Sequence, residues 1–181
     1  MGSNPSYFQP PKFTLDTSRP VESVSWDMIA GADGFISGTG LRLPTEAEWE
    51  YAYRAGTTTA FHSYPAQPTG FNDDALLSNI AWYNANAGGQ THAVGGKFAN
   101  ALGLHDMSGH VFEWCPDWYG DTYYASSPLT SPTGPATGSG RLNRGGGWGS
   151  NSVNCRASMR NSYSPVSILV TSLGFRAART P

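Results

Sequence analysis

The sequence has few charged residues and no cluster of basic ones. Charged side chains make up 13% of the 181 residues, and the formal net charge is −2. The arginines are spread singly along the chain, whereas a protein that tracks the phosphates of a nucleic acid needs a concentrated basic surface. We therefore expect no nucleic-acid partner.

Long hydrophobic runs are also missing. The chain contains no uninterrupted apolar stretch of about 18 residues, the length at which a transmembrane helix becomes plausible. It also begins without the apolar segment of a secretory signal peptide. These absences predict no membrane span and no signal peptide in this chain, and they leave its cellular location open.

Side chains that commonly carry catalysis are sparse and scattered. The two cysteines, Cys115 and Cys155, are compatible with one disulfide, two free thiols, or one buried and one reactive thiol. No Gly-x-Ser-x-Gly motif is present to anchor a hydrolase triad. The four histidines show no zinc-site spacing and are expected to be structural; they are His62, His92, His105 and His110.

Glycine, proline and tryptophan, in contrast, are abundant in this sequence. The chain has 22 glycines, 13 prolines and six tryptophans, which is typical of a globular protein rich in ordered loops. Its length suits one well-buried domain, and no linker divides it. The sequence therefore predicts a single domain over residues 1–181.

Residues 43–56 carry the start and stop signals of a helix. Thr45 is placed to cap the N-terminus, and Glu48 three residues later completes a capping box. Arg54 in the last turn and Gly56 after it suit the C-terminus. This segment predicts a helix of about three turns.

The other predicted elements are short. Ser25 can cap a brief helix that begins at Trp26. Residues 79–83 and residues 111–114 are the best strand candidates. Residues 126–140, rich in Ser, Pro, Thr and Gly, predict an exposed loop.

Residues 141–179 differ in composition from the rest of the chain. Both ends of this segment mix glycine, arginine and an aromatic residue, as packed backbone turns do. Between them, residues 149–172 are crowded with small polar side chains and contain no acid, lysine or histidine. A catalytic centre normally carries more titratable groups, so this composition favours a binding surface.

Four blocks of the sequence, in the same order, resemble the formylglycine-generating enzyme (sulfatase-modifying factor) family. They are residues 42–52 (RLPTEAEWEYA), 103–114 (GLHDMSGHVFEW), 144–148 (RGGGW) and 173–176 (LGFR). The resemblance implies an α+β fold, an irregular variant of the C-type lectin fold with short antiparallel strands, two helices and long ordered loops. It also implies a chain shortened at the N-terminus, because that family usually has a further N-terminal portion.

The enzyme branch of this family holds copper with a pair of cysteines that follows the glycine-rich turn. In this chain the nearest positions are Ser150 and Ser152, and Cys155 is out of register with that pair. A serine hydroxyl is a poor ligand for copper(I), which prefers thiolates. We therefore expect no copper and no enzyme activity; the alternatives are a copper- and oxygen-dependent oxidoreductase and a structural or regulatory accessory domain.

A second branch resembles this chain more closely: the variable proteins of diversity-generating retroelements. The similarity lies in residues 141–148, 154–157, 160–161, 164–165 and 173–176. Those proteins display a hypervariable C-terminal surface whose substitutions arise at adenines, mostly in asparagine codons. The resemblance implies a variable region over residues 141–176, an unknown protein or surface ligand, and display on a bacterial or phage surface. Residues 149–172 obey the expected substitution alphabet except at Met159.

The residues expected to face the ligand are small, polar or apolar members of this region. For the apolar residues 168–170, burial in an ordinary core strand is an equally weighted alternative. The full set is Gly149, Ser150, Asn151, Ser152, Asn154, Ser158, Met159, Asn161, Ser162, Tyr163, Val166, Ser167, Ile168, Val170 and Thr171.

The loop formed by residues 106–113 predicts a calcium site. Two carboxylates, Asp106 and Glu113, flank backbone carbonyls in a glycine-containing loop, and calcium prefers oxygen ligands of this kind. The resemblance to the enzyme branch implies the side chains of Asp106 and Glu113 with the carbonyls of Gly109 and Val111. The alternative is that Glu113 only pairs with an arginine such as Arg144.

Overall fold

The computed structural model describes residues 4–166 and 170–180. Two α-helices and eight short strands are separated by long loops and by three 3-10 turns, at Asp74–Asn79, Tyr123–Ala125 and Ser152–Cys155. The helices are α1 (Trp26–Ala30) and α2 (Glu46–Arg54). The strands are β1 (Leu41–Arg42), β2 (Ala81–Trp82), β3 (Ser108–Gly109), β4 (Phe112–Trp118), β5 (Arg141–Arg144), β6 (Asn161–Tyr163), β7 (Leu173–Gly174) and β8 (Ala178–Arg179).

A four-stranded sheet in the order β6-β5-β4-β7 organises the fold. Strand β5 pairs antiparallel with both neighbours, whereas β7 pairs parallel with β4. The other sheets have two strands each, β1 with β8 antiparallel and β2 with β3 parallel. The fold is thus α+β with short strands, as expected, although two of its strand pairs are parallel.

Alternation along β4 builds a core on each side of the sheet. Phe112 and Trp114 pack on one face with Ile29 of α1 and Leu173 of β7. Cys115 packs on the other face in the cluster that holds the aromatic side chains of α2. Successive strand residues point to opposite faces, so both faces of β4 are buried.

Helix α2 begins where the capping box predicts. The Thr45 hydroxyl accepts a hydrogen bond from the Glu48 amide at 3.3 Å, and the Glu48 carboxylate accepts one from the Thr45 amide at 2.9 Å. The helix ends at Ala55, which adopts a left-handed φ of 47°, one residue before the predicted glycine cap. The N-terminal prediction is confirmed and the C-terminal one is displaced by a single residue.

The shorter elements also follow the sequence signals. The Ser25 hydroxyl accepts a hydrogen bond from the Met28 amide at 3.1 Å, which caps α1. The strand predicted over residues 79–83 is limited to β2, since the 3-10 turn Asp74–Asn79 occupies the chain just before it. Residues 126–139 are largely exposed, as expected of a loop. None of the helices in the described residues has the length and apolar character needed to cross a membrane.

Both cysteines are buried free thiols, which decides among the three alternatives that the sequence left open. Cys115 lies beside α2 and Cys155 lies in the separate cluster around Phe61 and Phe71. Burial raises the pKa of the Cys115 thiol well above its ordinary value and raises that of Cys155 to about 12. Neither thiol is poised as a thiolate.

The glycine turn after β5 is packed tightly at one position and open at another. A methyl group on Gly147 would lie 2.7 Å from Cβ of Ser172 and 3.1 Å from its carbonyl oxygen. A methyl group on Gly149 would meet no atom within 4 Å. The end of the segment 141–148 is therefore framework, and the chain reaches open space two residues later.

A buried ionic cluster joins the start of α2 to the sheet. The Glu46 carboxylate is buried and accepts hydrogen bonds from Nε and Nη2 of Arg160, at 2.6 and 2.8 Å. The Glu46 amide donates to Oδ2 of Asp117 at 2.9 Å. Burial, with the Glu46 charge nearby, raises the pKa of Asp117 from its ordinary 3.8 to about 6. Asp117 is thus an acid whose ionisation opposes folding.

We expect Gly147→Ala to destabilise the fold by about 1 to 3 kcal/mol, because the added methyl group overlaps Ser172. The matched variant Gly149→Ala should change the free energy of unfolding by no more than about 0.5 kcal/mol. Urea unfolding of both variants measures the difference. Equal stability of the two would contradict the packing described for this turn.

We expect Asp117→Asn to remove a pH dependence of stability. The folded protein binds the Asp117 proton more tightly than the unfolded chain, so this residue's contribution to stability falls as the pH rises from about 4 to about 6. The variant should flatten that slope and be more stable to unfolding by on the order of 1 kcal/mol near neutral pH. Thermal unfolding at several pH values measures the effect. The control is Asp33→Asn, at an exposed acid. If Asp117→Asn leaves the slope of stability against pH unchanged, the prediction is wrong.

Candidate functional site

A shallow concave surface of about 680 Å³ lies over the outer part of the four-stranded sheet. It is formed by the turn after β5, the following 3-10 turn, strand β6 and the chain leading into β7. Its lining residues are Asn84, Phe112, Trp148, Gly149, Ser150, Asn151, Asn154, Met159, Asn161, Tyr163, Val170, Thr171 and Ser172.

The structure brings nine of the predicted ligand-facing residues together on this surface. They come from separate stretches of the segment, because β6 folds back along β5 while residues 170–172 run beside the glycine turn. The nine are Gly149, Ser150, Asn151, Asn154, Met159, Asn161, Tyr163, Val170 and Thr171.

Four predicted residues do not line the concave surface, and two fall outside the described residues. Ser152 instead donates its hydroxyl to Asp74. Ser162 lies between two lining residues of β6, and strand alternation turns it to the opposite face, against Gly140. Ser158 and Val166 are exposed away from this surface. The two outside the described residues are Ser167 and Ile168.

Val170 tests the two interpretations of the apolar residues 168–170, namely contact with the ligand and burial in a core strand. It lines the concave surface and also packs, half-buried, against the core cluster of Phe112 and Trp114. The alternative of burial in a core strand therefore holds for Val170 only in part. Leu169, like Ile168, lies outside the described residues.

Local hydrogen bonds fix the backbone of this surface. The Ser150 hydroxyl accepts from the Gly147 amide at 2.9 Å and closes the turn. The Asn151 side chain accepts from the Asn154 amide at 3.3 Å and caps the 3-10 turn. The Trp148 indole donates to the Thr171 carbonyl at 2.9 Å, which ties the two ends of the segment together. The surface is therefore built on an ordered frame.

Four lining residues were absent from the predicted set. Trp148 and Ser172 lie at the framework ends of the segment, and Phe112 belongs to the strand block. Asn84 comes from the loop after β2, and its amide donates to the Ser150 carbonyl at 3.0 Å. Nothing near Asn84 in the sequence signals this contact, since it depends on how two distant loops pack.

The arginines of the segment point away from the concave surface and are paired. Arg156 lies 3.0 Å from Asp74, and Arg160 is held by Glu46 as described above. The Arg160 guanidinium also lies about 5 Å from the ring centres of Tyr119 and Tyr124. The charges of these two arginines are thus compensated by acids outside the segment; the Arg160–Glu46 pair is largely buried, whereas Arg156 and Asp74 are partly exposed.

The predicted calcium loop holds its first carboxylate in place with one oxygen available. Oδ2 of Asp106 accepts from the Gly95 amide at 2.7 Å, and Oδ1 lies 3.6 Å from Nδ1 of His110. Among the described residues, Oδ1 has no hydrogen-bond partner. Burial acts to raise the pKa of Asp106, but the contacts with His110 and Gly95 outweigh it and hold that pKa below its ordinary value.

The second carboxylate of the loop is fully engaged by the protein. Glu113 accepts from the Trp49 indole at 2.7 Å and from Nε and Nη2 of Arg176 at 3.0 and 2.8 Å. The arginine in this pair is thus Arg176, whereas Arg144 pairs with Glu50. The described residues contain no group of three or more His, Cys, Asp or Glu side chains placed to hold a metal ion.

These residues fit a calcium ion only in part. A cavity of about 550 Å³ is lined by Asp106, Val111, Glu113 and Arg176. Gly109 is the last residue of β3. Asp106 offers a free oxygen, but a cation at Glu113 would have to compete with the Arg176 guanidinium. Calcium binding therefore stays a prediction.

Comparison with known proteins places the chain in a family. It matches the sulfatase-modifying factor enzyme 1-like domain over residues 1–181. The formylglycine-generating enzyme of Streptomyces coelicolor is 37% identical over 169 residues, covering 89% of this chain and 52% of that protein. The serine/threonine-protein kinase pkn1 of Chlamydia caviae is 40% identical over 163 residues, which cover 89% of this chain and 24% of that protein. The chain spans about half the length of the first relative and a quarter of the second.

Solved structures show the same fold. Treponema denticola variable protein 1 matches with a TM-score of 0.81 and 33% identity, covering 100% of this chain and 79% of that one. PvdO from Pseudomonas aeruginosa matches with a TM-score of 0.73 and 28% identity, covering 92% and 64%. The short strands, two helices and long loops are those of the C-type-lectin-like fold. The chain belongs to the formylglycine-generating enzyme (sulfatase-modifying factor) family.

Proposed function

We propose that this protein is a non-catalytic ligand-binding protein of the variable-protein type, and that the concave surface is its ligand contact. One observation carries the proposal: nine of the predicted residues, from separate parts of the segment, line one surface. The likeness to Treponema denticola variable protein 1 supports the same function. Asn, Ser and Tyr side chains give such a surface adaptable hydrogen bonds at low entropic cost.

The surface is suited to sequence variation at residues whose side chains do not hold the frame. Gly149 has open space around it, and Asn161 and Tyr163 lie half-buried on the outer strand of the sheet. The fold instead depends on buried groups next to them, such as Arg144 and Leu173. Residues 141–176 therefore combine a conserved backbone path with replaceable side chains, as diversification by a retroelement requires.

The ligand we propose is a protein or a cell-surface molecule, bound at the surface of a bacterium or phage. The surface is open and shallow, so it suits contact with another macromolecule better than enclosure of a small one. The absence of a basic cluster from the sequence argues against a nucleic acid.

An oxygen-dependent oxidoreductase is the rival function, because curated relatives named formylglycine-generating enzyme match most of this chain. The chemistry of the segment argues against it. Cys155 is buried with a raised pKa, and the Ser150 and Ser152 hydroxyls are taken up by local hydrogen bonds. Copper-dependent turnover of a cysteine-containing peptide would overturn the non-catalytic proposal. A purely structural accessory role would require this segment to be packed, whereas its side chains line an open surface.

Calcium is proposed as a structural ion only. Asp106 and Glu113 would hold it with the carbonyls of Gly109 and Val111, and its charge would stabilise the loop between β3 and β4. Asp106 already has a free buried oxygen there. No step of ligand binding depends on this ion.

Retroelement diversification predicts a specific pattern in the genome. We expect a reverse transcriptase gene close by and a template repeat that matches the DNA for residues 141–176 but differs at adenines. The differences should concentrate in codons for the nine residues of the concave surface and spare those for Arg144, Gly147 and Leu173. Sequencing the locus checks this. A missing repeat, or differences spread evenly over the framework codons, would rule out the assignment.

Calcium binding predicts a calcium-dependent gain in thermal stability. Calcium at about 100 times its dissociation constant should stabilise the wild-type protein by about 2.7 kcal/mol. Asp106→Ala should abolish the gain, whereas Asp33→Ala, at an exposed acid outside the loop, should keep it. Thermal unfolding with calcium or with a chelator measures the effect. The same melting temperature in both conditions would mean that Arg176 excludes the ion.

A further inference from the structure

The concave surface displays no acidic or basic side chain. Of its thirteen lining residues, all of them within the described part of the chain, none is Asp, Glu, Lys, Arg or His. Six of them are Asn or Ser, whose side chains can both donate and accept hydrogen bonds. They are Asn84, Ser150, Asn151, Asn154, Asn161 and Ser172.

This neutrality is maintained even though arginines occur within the same segment. Arg156 and Arg160 lie between lining residues in the sequence, and each is drawn to an acid outside the segment, Asp74 and Glu46 respectively. Arg144, immediately before the glycine turn, is fully buried. The charges of Arg156 and Arg160 are therefore compensated by acids outside the segment, and neither arginine lines the concave surface.

A neutral surface of this kind selects against charged ligand groups. A charged group pressed against it would lose water and gain no opposite charge, which costs several kcal/mol when the group is buried. Amide and hydroxyl groups would instead find partners among the asparagines. Phe112, Met159 and Val170 offer an apolar centre for an uncharged side chain.

We propose that the partner is a protein that presents an uncharged patch, with amide and hydroxyl groups around an apolar centre, and that its binding is insensitive to salt. An apolar centre with few charges and a polar rim is the usual anatomy of a protein interface. This inference rests on the proposed function and adds the chemical class of the partner.

A displayed library of cyclic peptides, randomised over all twenty amino acids, tests the proposal. Peptides selected on the wild-type protein are sorted by whether Gly149→Trp abolishes their binding. Gly149 has open space for a side chain, so this variant should fold as the wild type does, which thermal unfolding confirms. The peptides that lose binding are those directed at the concave surface.

Surface-directed peptides should be depleted in Asp, Glu, Lys and Arg relative to the other peptides from the same selection. Their dissociation constants should change by less than about twofold between about 0.1 M and about 1 M salt, where the Debye length falls from about 10 to about 3 Å. Charged consensus residues, or affinities that fall about tenfold with salt, would overturn the partner class and leave the binding surface standing.

A matched pair of variants tests the same point from the protein side. Gly149→Asn and Gly149→Asp differ by one charge at an unhindered position. Gly149→Asp should bind the surface-directed peptides about tenfold more weakly than Gly149→Asn does, a difference of about 1.4 kcal/mol. Equal binding by the two variants would contradict the proposal.

Failure of the proposed function gives a different result. If neither peptides nor an array of neutral glycans distinguishes wild type from Gly149→Trp, the concave surface is not a ligand site, and both proposals fall. If only neutral glycans distinguish them, the surface remains a ligand site and the partner is not a protein.

Discussion

The buried guanidinium of Arg144 is the interaction on which the rest of the structure depends. It is fully enclosed, pairs with Glu50 of α2, and lies 3.7 Å from Glu46. It also donates to the carbonyls of Ala157 and Met159. Removing one partner of a buried ion pair leaves an uncompensated charge, at a cost of about 3 to 5 kcal/mol. One side chain thus joins the helix, the central sheet and the backbone that leads into the concave surface.

This arrangement explains how a segment can be rigid in its path and variable in its side chains. Met159 is held through its carbonyl by Arg144, and Asn161 follows Arg160, which is held by Glu46. The Met159 contact is made by the backbone, so its side chain is free to differ, whereas the Asn161 side chain also donates to Asn143 at 3.0 Å. The glycine turn shows the same division, because Gly147 is closely packed whereas Gly149 faces open space.

The family contains both enzymes and variable proteins on one fold, and fold alone does not choose between them. The choice in this chain comes from the chemistry of residues 149–172. Cys155 is buried with a raised pKa, the Ser150 hydroxyl closes a turn, and Arg156 and Arg160 pair with acids outside the segment. The described residues that line the concave surface are all uncharged, and the proposed ligand-binding function rests on them.

Local signals in the sequence were sufficient to predict the elements that local contacts stabilise. The capping box of α2, the Ser25 cap of α1 and the strand predicted over residues 111–114 follow from neighbours a few residues apart, although that strand extends to Trp118 in the structure. The family blocks and the unusual composition of residues 149–172 likewise identified the fold and the region of the candidate site. The composition could not decide which side chains share a face, since that depends on strand register and on loops that meet only in the folded chain.

The sequence by itself determined the fold class, the framework blocks and the segment that carries the surface. Only the tertiary structure placed Ser162 on the opposite face from Asn161 and Tyr163. It also brought Ser152 within hydrogen-bonding distance of Asp74 and added Asn84 to the lining of the concave surface. It also paired Glu113 with Arg176, although Arg144 lies opposite Glu113 in the sheet. The reason is physical: each of these outcomes depends on contacts between residues far apart in the chain, and such contacts leave no local pattern.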